Sequence, residues 1–276
     1  MLAAVDVSGG LGRAGTPRGR GDLIVPIVAV LVVLVPIVVG VNAASGGSFR
    51  DRSDVFAIMM LAPVSLILPL VVTLLTCLRL YAQLTERFVA NTRSRMSARE
   101  FVLRHMARAA GGSALIFFLY VFAAFVVAFY VWPLAGDPGI DPAGYNMTVE
   151  QAAAQSLERS SYSFLLEYGE LAFGFGYAAW VSLSSAAFAV LCCCFLVTLP
   201  NRILALGLPF LIYLGSTVGA ALIGLPRFGL LYSLFPFGLE ASAPLIAAAP
   251  MLVLAAVTLV FAALVLYRAP TNGQLA

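Results

Sequence analysis

The chain has 276 residues, of which 62% are apolar and 11% charged, whereas a soluble domain carries roughly 25% charged residues. So little charge cannot cover a globular surface, which excludes a water-soluble domain and puts most of the exterior in a bilayer. The net charge of +3 is too small and too dispersed for nucleic-acid binding.

Residues 1–22 are polar and Gly-rich and are expected to form a disordered arm. The arginines Arg13, Arg18 and Arg20 precede an apolar stretch that is long enough to span and lacks a convincing cleavage site, so a signal peptide is not expected. Six apolar stretches follow, at about 23–41, 55–79, 113–135, 171–199, 203–225 and 245–267. Each is near the ~20 residues that a helix needs to cross the hydrocarbon core. They are too long and too evenly apolar for barrel strands, so the expected fold is all-α: a polytopic bundle of six transmembrane helices. Pro26 and Pro36 in the first stretch, and Pro63 and Pro69 in the second, are expected to kink their helices. Small residues spaced by four (Gly215 and Gly219, Ala220 and Gly224, Ser182 and Ala186) suggest close helix packing within the chain.

All 16 basic residues are arginine, a bias consistent with a GC-rich bacterial genome. With the N-terminus inside, Arg13, Arg18, Arg20, Arg79, Arg87, Arg93, Arg95, Arg99, Arg104, Arg108, Arg202 and Arg268 fall on the cytoplasmic side, leaving Arg50, Arg52, Arg159 and Arg227 outside. The positive-inside rule then places both termini, including the tail 269–276, in the cytoplasm.

Three connections have character. Segment 80–111 is the longest polar run, and Phe88, Thr92, Met96 (or Arg95) and Phe101 give it an amphipathic helical pattern on the inner side. Segment 136–170 opens with the turn residues of "GDPGIDPAG" and continues through Val149, Ala153, Leu157, Phe164 and Tyr168 as a helix expected at the outer membrane surface. Segment 225–244 is apolar but broken by Pro226, Pro236, Gly238 and Pro244, which suits a re-entrant pair of short helices or an interfacial loop anchored by aromatics.

No constellation for catalysis emerges. His105 is the single histidine and lies among arginines; Ser184 and Ser185 have no histidine or lysine in the membrane to activate them. Cys77 and the run Cys192, Cys193, Cys194 lack zinc-site spacing and suit buried small apolar positions. The centres of the stretches carry no ionisable acid or base for ion coupling, and no GxxxxGK[ST] loop is present. Uphill transport would need energy from another subunit, and 80–111 is the surface suited to meet it.

At this point the pattern resembles the membrane subunit of ABC-2-type ABC transporters. The resemblance rests on Glu86-Arg87-Phe88, Asn91-Thr92-Arg93-Ser94-Arg95 and Arg99-Glu100-Phe101 between the second and third spans. It extends to "LPNRILALGLPFLIYLGSTV" at 199–218 and "SLFPFGL" at 233–239. The Gly-rich arm departs from the amphipathic helix that many members carry there. The resemblance implies a non-catalytic permease subunit whose segment 80–111 docks on ATP-binding cassette subunits through Glu86, Arg87, Arg93, Arg95 and Arg99. It implies a second permease chain as partner, no cofactor in this chain (ATP and Mg being held by the ATPase), and export across a bacterial cell membrane. An uncharged interior suggests an apolar or amphipathic substrate such as a lipid, drug or peptide. The rival readings are a membrane scaffold or sensor subunit, and a lipid-modifying enzyme built on Asp137, Asp141, Glu167 and Glu170.

Overall fold

A computed structural model describes residues 20–61, 63–85, 97–158, 160–237 and 243–269, with the side chains of 20–26, 63 and 64 excepted. The described residues form helices α1 (Arg20–Ala44), α2 (Arg52–Met60), α3 (Pro63–Thr76), α4 (Leu78–Thr85) and α5 (Ala98–Val126). They continue through α6 (Val149–Glu158), α7 (Glu170–Thr198), α8 (Arg202–Leu222), the short α9 (Leu230–Leu234) and α10 (Pro244–Arg268). Among these residues the only strand-like feature is a bridge between Phe49 and Ile140. Five helices are long and apolar enough to cross a membrane, or six spans if the bent pair α2 and α3 counts as one.

The second stretch is not one kinked helix. Arg52–Met60 and Ser65–Thr76 are bent by 52°, and the chain breaks again at Cys77 before α4. Proline explains the first break. A prolyl nitrogen carries no hydrogen, so Pro63 and Pro69 leave the carbonyls of Met59 and Ser65, four residues earlier, without their helical donor. Two tyrosines from other helices fill those vacancies: the Tyr120 hydroxyl of α5 donates to Met59 O at 3.1 Å and the Tyr213 hydroxyl of α8 to Ser65 O at 2.7 Å. The Ala205 carbonyl, freed in the same way by Pro209 inside α8, is met by the Cys192 thiol at 3.9 Å. Cys192 is thus a weak donor to a bare carbonyl as well as a small buried side chain. In a medium without water each such carbonyl needs an internal partner.

The third span begins earlier than hydropathy indicates. Ser97 caps the first turn by accepting from Glu100 N at 3.2 Å, and Glu100 suits the positive end of the helix. One rod then runs from Ala98 to Leu134, 37 residues, or about 55 Å at 1.5 Å per residue. That exceeds the ~30 Å hydrocarbon core, so its first turns, with Arg99, Arg104 and Arg108, belong to the polar flank. Segment 80–111 therefore includes the start of the third span as well as α4. Near its other end the ladder widens to a π turn at Val127–Val131, just before Pro133.

Helix α7 is the axis of the bundle, packing most extensively on α5 and also on α3, α8, α9 and α10. At its heart Phe56 of α2 meets Phe125, Phe129, Phe173, Tyr177 and Phe237 edge-to-face, with ring centroids 5.6–6.4 Å apart. Gly174 lets α5 and α7 approach, since a Cβ there would overlap the Phe125 ring. Ser182, one of the expected packing residues, donates to Ala114 O across the same contact at 2.8 Å. Gly215 and Gly219 behave differently. No atom lies within 4 Å of a Cβ built on either, so this pair does not pack within the chain. In α1 and α10 only 22% of the apolar window is buried, and leucine, isoleucine and valine side chains cover the rest. An outward surface of this kind is stable in hydrocarbon and suits a bundle of helices long and apolar enough to cross a membrane.

Candidate functional site

Charge and cavities concentrate at the two ends of the bundle. The Arg50 end joins two connections, 45–51 and 135–148. Phe49 N donates to Gly139 O at 2.8 Å, Asp141 N to Phe49 O at 2.9 Å and the Tyr145 hydroxyl to Ser48 O at 2.7 Å. Gly139 is required in this zipper: its φ is +77° and a Cβ would collide with Gly47 O. Arg50 pairs with Asp54 at 3.1 Å and Arg52 with Asp137 at 3.0 Å. The Arg52 pKa is raised, chiefly by its hydrogen bond to Asp137 against a smaller desolvation penalty.

A cleft of about 570 Å³ opens here between the start of α2, the 137–142 turn, α6 and the start of α7, with Arg52, Asp137 and Glu170 on its wall. A smaller space of about 180 Å³ adjoins it around Arg50, Ser53 and Ser156 and reaches Phe173 and Phe237. Helix α6 turns Ala152 and Ser156 inward, while Val149, Ala153 and Leu157 stay exposed. The apolar stripe read from the sequence is therefore on the open face. Of the four acids named for a lipid-modifying enzyme, Asp137 and Glu170 line the cleft, whereas Asp141 and Glu167 are exposed and do not join its lining. Among the described residues no three His, Cys, Asp or Glu side chains come together as a metal site.

Beneath this end α9 packs into the bundle. Its carbonyls are held by side chains: Tyr162 and Trp180 donate to Ser233 O at 2.9 and 3.1 Å, and Tyr177 to Leu234 O at 2.7 Å. Trp180 lies ten residues into α7, about 15 Å from its start. Burial pushes the Tyr162 phenol above its ordinary pKa, outweighing the opposite effect of its bond to Ser233.

The Arg99 end carries the arginines. Of the five residues expected to dock on an ATPase, Glu86, Arg87, Arg93 and Arg95 lie outside the described residues; Arg99 is exposed on the first turn of α5. Glu100 is taken by Arg104 at 2.6 Å. The His105 ring lies tilted against Phe101, centroids 4.3 Å apart, with Nδ1 2.8 Å from the Phe101 carbonyl. That bond makes Nδ1 the donor, so the ring is held on its own helix. Arg202 donates to the Leu196 carbonyl at the end of α7. A groove of about 740 Å³ runs from Arg99 along the last turns of α10, past Val260, Ala263, Leu264 and Tyr267.

No family model, curated protein or solved structure matches this chain. Its function is read from its own residues.

Between the two ends the interior is electrically quiet. Apart from tyrosine and cysteine, every described buried polar side chain is serine or threonine. Ser184 and Ser185 donate to the carbonyls of Trp180 and Ser182 on their own helix, at 2.8 and 2.7 Å. Neither faces a base. The tyrosine latches on α2 and α3 were beyond sequence reasoning as pairs, although half of the signal was there: each proline at position i marks a bare carbonyl at i−4.

Proposed function

We propose that this chain is the permease subunit of an ABC-2-type transporter, exporting an apolar or amphipathic substrate with ATP hydrolysed by a separate subunit. The observation that supports it best is the absence, among the described residues, of a buried acid or base that could relay protons or bind a coupling cation. A bundle of this kind can still move a substrate when another protein drives it. Two further features fit. The broken α2–α3 span leads directly into α4 and the arginine-rich segment, so a push there is delivered to a hinge. The Arg50 end, opposite, holds an open cleft.

In this reading the Arg99 end is cytoplasmic, the six spans belong to a bacterial cell membrane, and a second permease chain completes the pathway. Glu86, Arg87, Arg93 and Arg95 make the docking contacts by charge complementarity, with Arg99 at the margin of the segment. The test is charge reversal, Arg93→Glu with Arg95→Glu, in the permease reconstituted with its co-purifying ATPase. The proposal expects permease-stimulated ATP hydrolysis to fall at least severalfold while membrane insertion stays normal. Undiminished stimulation removes the docking assignment.

A further inference from the structure

The groove at Arg99 has a composition that the transport reading does not use. Val260, Ala263, Leu264 and Tyr267 are spaced by three and four and so form one face of α10. That face is open: Val260 is 63% exposed, Leu264 50% and Tyr267 87%. From Val260 to Tyr267 it runs about 10 Å along the helix axis, enough for the upper methylenes of an acyl chain. Its polar end is marked by a single guanidinium. Arg99 has no carboxylate within ion-pair distance among the described residues, and the nearby Glu100 is held by Arg104. Arg99 also stands on the first turn of α5, where the exposed peptide N–H groups add to the positive potential. Tyr267, with an apolar ring and a polar hydroxyl, suits the headgroup level.

We propose that this groove is a binding site for an anionic glycerophospholipid, with the phosphodiester on Arg99 and one acyl chain along Val260, Leu264 and Tyr267. Charge selects the occupant. A zwitterionic lipid brings its own cation to the guanidinium, whereas a lipid with net negative charge leaves the pairing unopposed. The site does not depend on an ATPase partner, only on the membrane location of the bundle. It gives Arg99 a role apart from the docking contacts.

The test is native mass spectrometry of the full detergent-solubilised chain in equal amounts of dioleoyl-phosphatidylglycerol and dioleoyl-phosphatidylcholine. One basic residue at an anionic lipid surface corresponds to about a fivefold preference. The wild-type chain is therefore expected to retain phosphatidylglycerol about fivefold over phosphatidylcholine in its first adduct. Arg99→Gln should bring the ratio to parity, and Arg99→Lys should keep most of it. Arg108→Gln, which removes an exposed arginine outside the groove, should leave it unchanged. Parity in the wild type means that the groove is covered by protein or does not discriminate, and overturns the site. A preference that survives Arg99→Gln, or that falls equally in Arg108→Gln, assigns selectivity to the general charge of this end and overturns it too.

Discussion

Tyr213 and Pro69 offer a quantitative test of how the broken second span is held. The Tyr213 side chain is 1% exposed and its hydroxyl donates to Ser65 O at 2.7 Å. That carbonyl has no helical N–H donor four residues on because residue 69 is proline. Tyr213→Phe keeps the ring, including its edge-to-face contact with Phe188 at 5.7 Å, and removes only the donor. A buried carbonyl left without a partner costs about 1–3 kcal/mol in soluble proteins, while hydrogen bonds between membrane helices average about 0.6 and reach about 1.7 kcal/mol. Full burial and the short distance argue for the upper part of the membrane range, about 1–1.5 kcal/mol. Pro69→Ala restores an N–H four residues after Ser65. In that background the tyrosine hydroxyl is redundant, so Tyr213→Phe should cost little. The double-mutant cycle, read by denaturation in bicelles with far-UV circular dichroism, should therefore give a coupling energy of about 1 kcal/mol. Additivity of the two substitutions would refute the claim that tyrosine replaces the missing prolyl donor.

Further predictions follow from the packing and the connections. Gly174→Ala drives a methyl into the Phe125 ring and should destabilise the bundle by about 1–3 kcal/mol in the same denaturation assay; Gly215→Ala, beside open space, should be near neutral. Gly139→Ala strains a φ of +77° and strikes Gly47 O, and should loosen the Phe49–Ile140 zipper, seen as faster amide exchange at Phe49 and Asp141. The raised pKa of Tyr162 means that above about pH 10 the unfolded chain loses this proton while the folded one keeps it. Stability should then fall as pH rises through that range, and less steeply in Tyr162→Phe.

The spans were legible because lipid-facing helices must be apolar on every exposed turn. The first, fourth, fifth and sixth stretches accordingly match α1, α7, α8 and α10 to within a few residues. The start of the third span was not legible from hydropathy. Arg99, Arg104 and Arg108 set its first turns apart as a separate amphipathic helical segment, although Ser97 and Glu100 spell a capping box. The inner face of α6 was not legible: Val149, Ala153 and Leu157 recur at helical spacing and stay exposed, while the bundle takes the small residues Ala152 and Ser156 because α6 packs closely on the 160–168 turn. Prolines 63, 69 and 209 announced bare carbonyls, but Tyr120, Tyr213 and Cys192 lie on helices whose neighbours only the fold defines. The Arg52–Asp137 pair spans 85 positions and left no local pattern to read. The arginines of segment 80–111 were visible as charge, while the groove between Arg99 and α10 required the return of the last span beside the third.

The central claim is that this bundle works with a separate ATPase. The most direct measurement is affinity purification of the C-terminally tagged chain from its native membranes in mild detergent, with mass spectrometry of everything bound. The account predicts recovery of a protein carrying a GxxxxGK[ST] loop, lost when Arg93 and Arg95 are both reversed. Recovery of this chain alone, under conditions that keep a known transporter complex together, would contradict it.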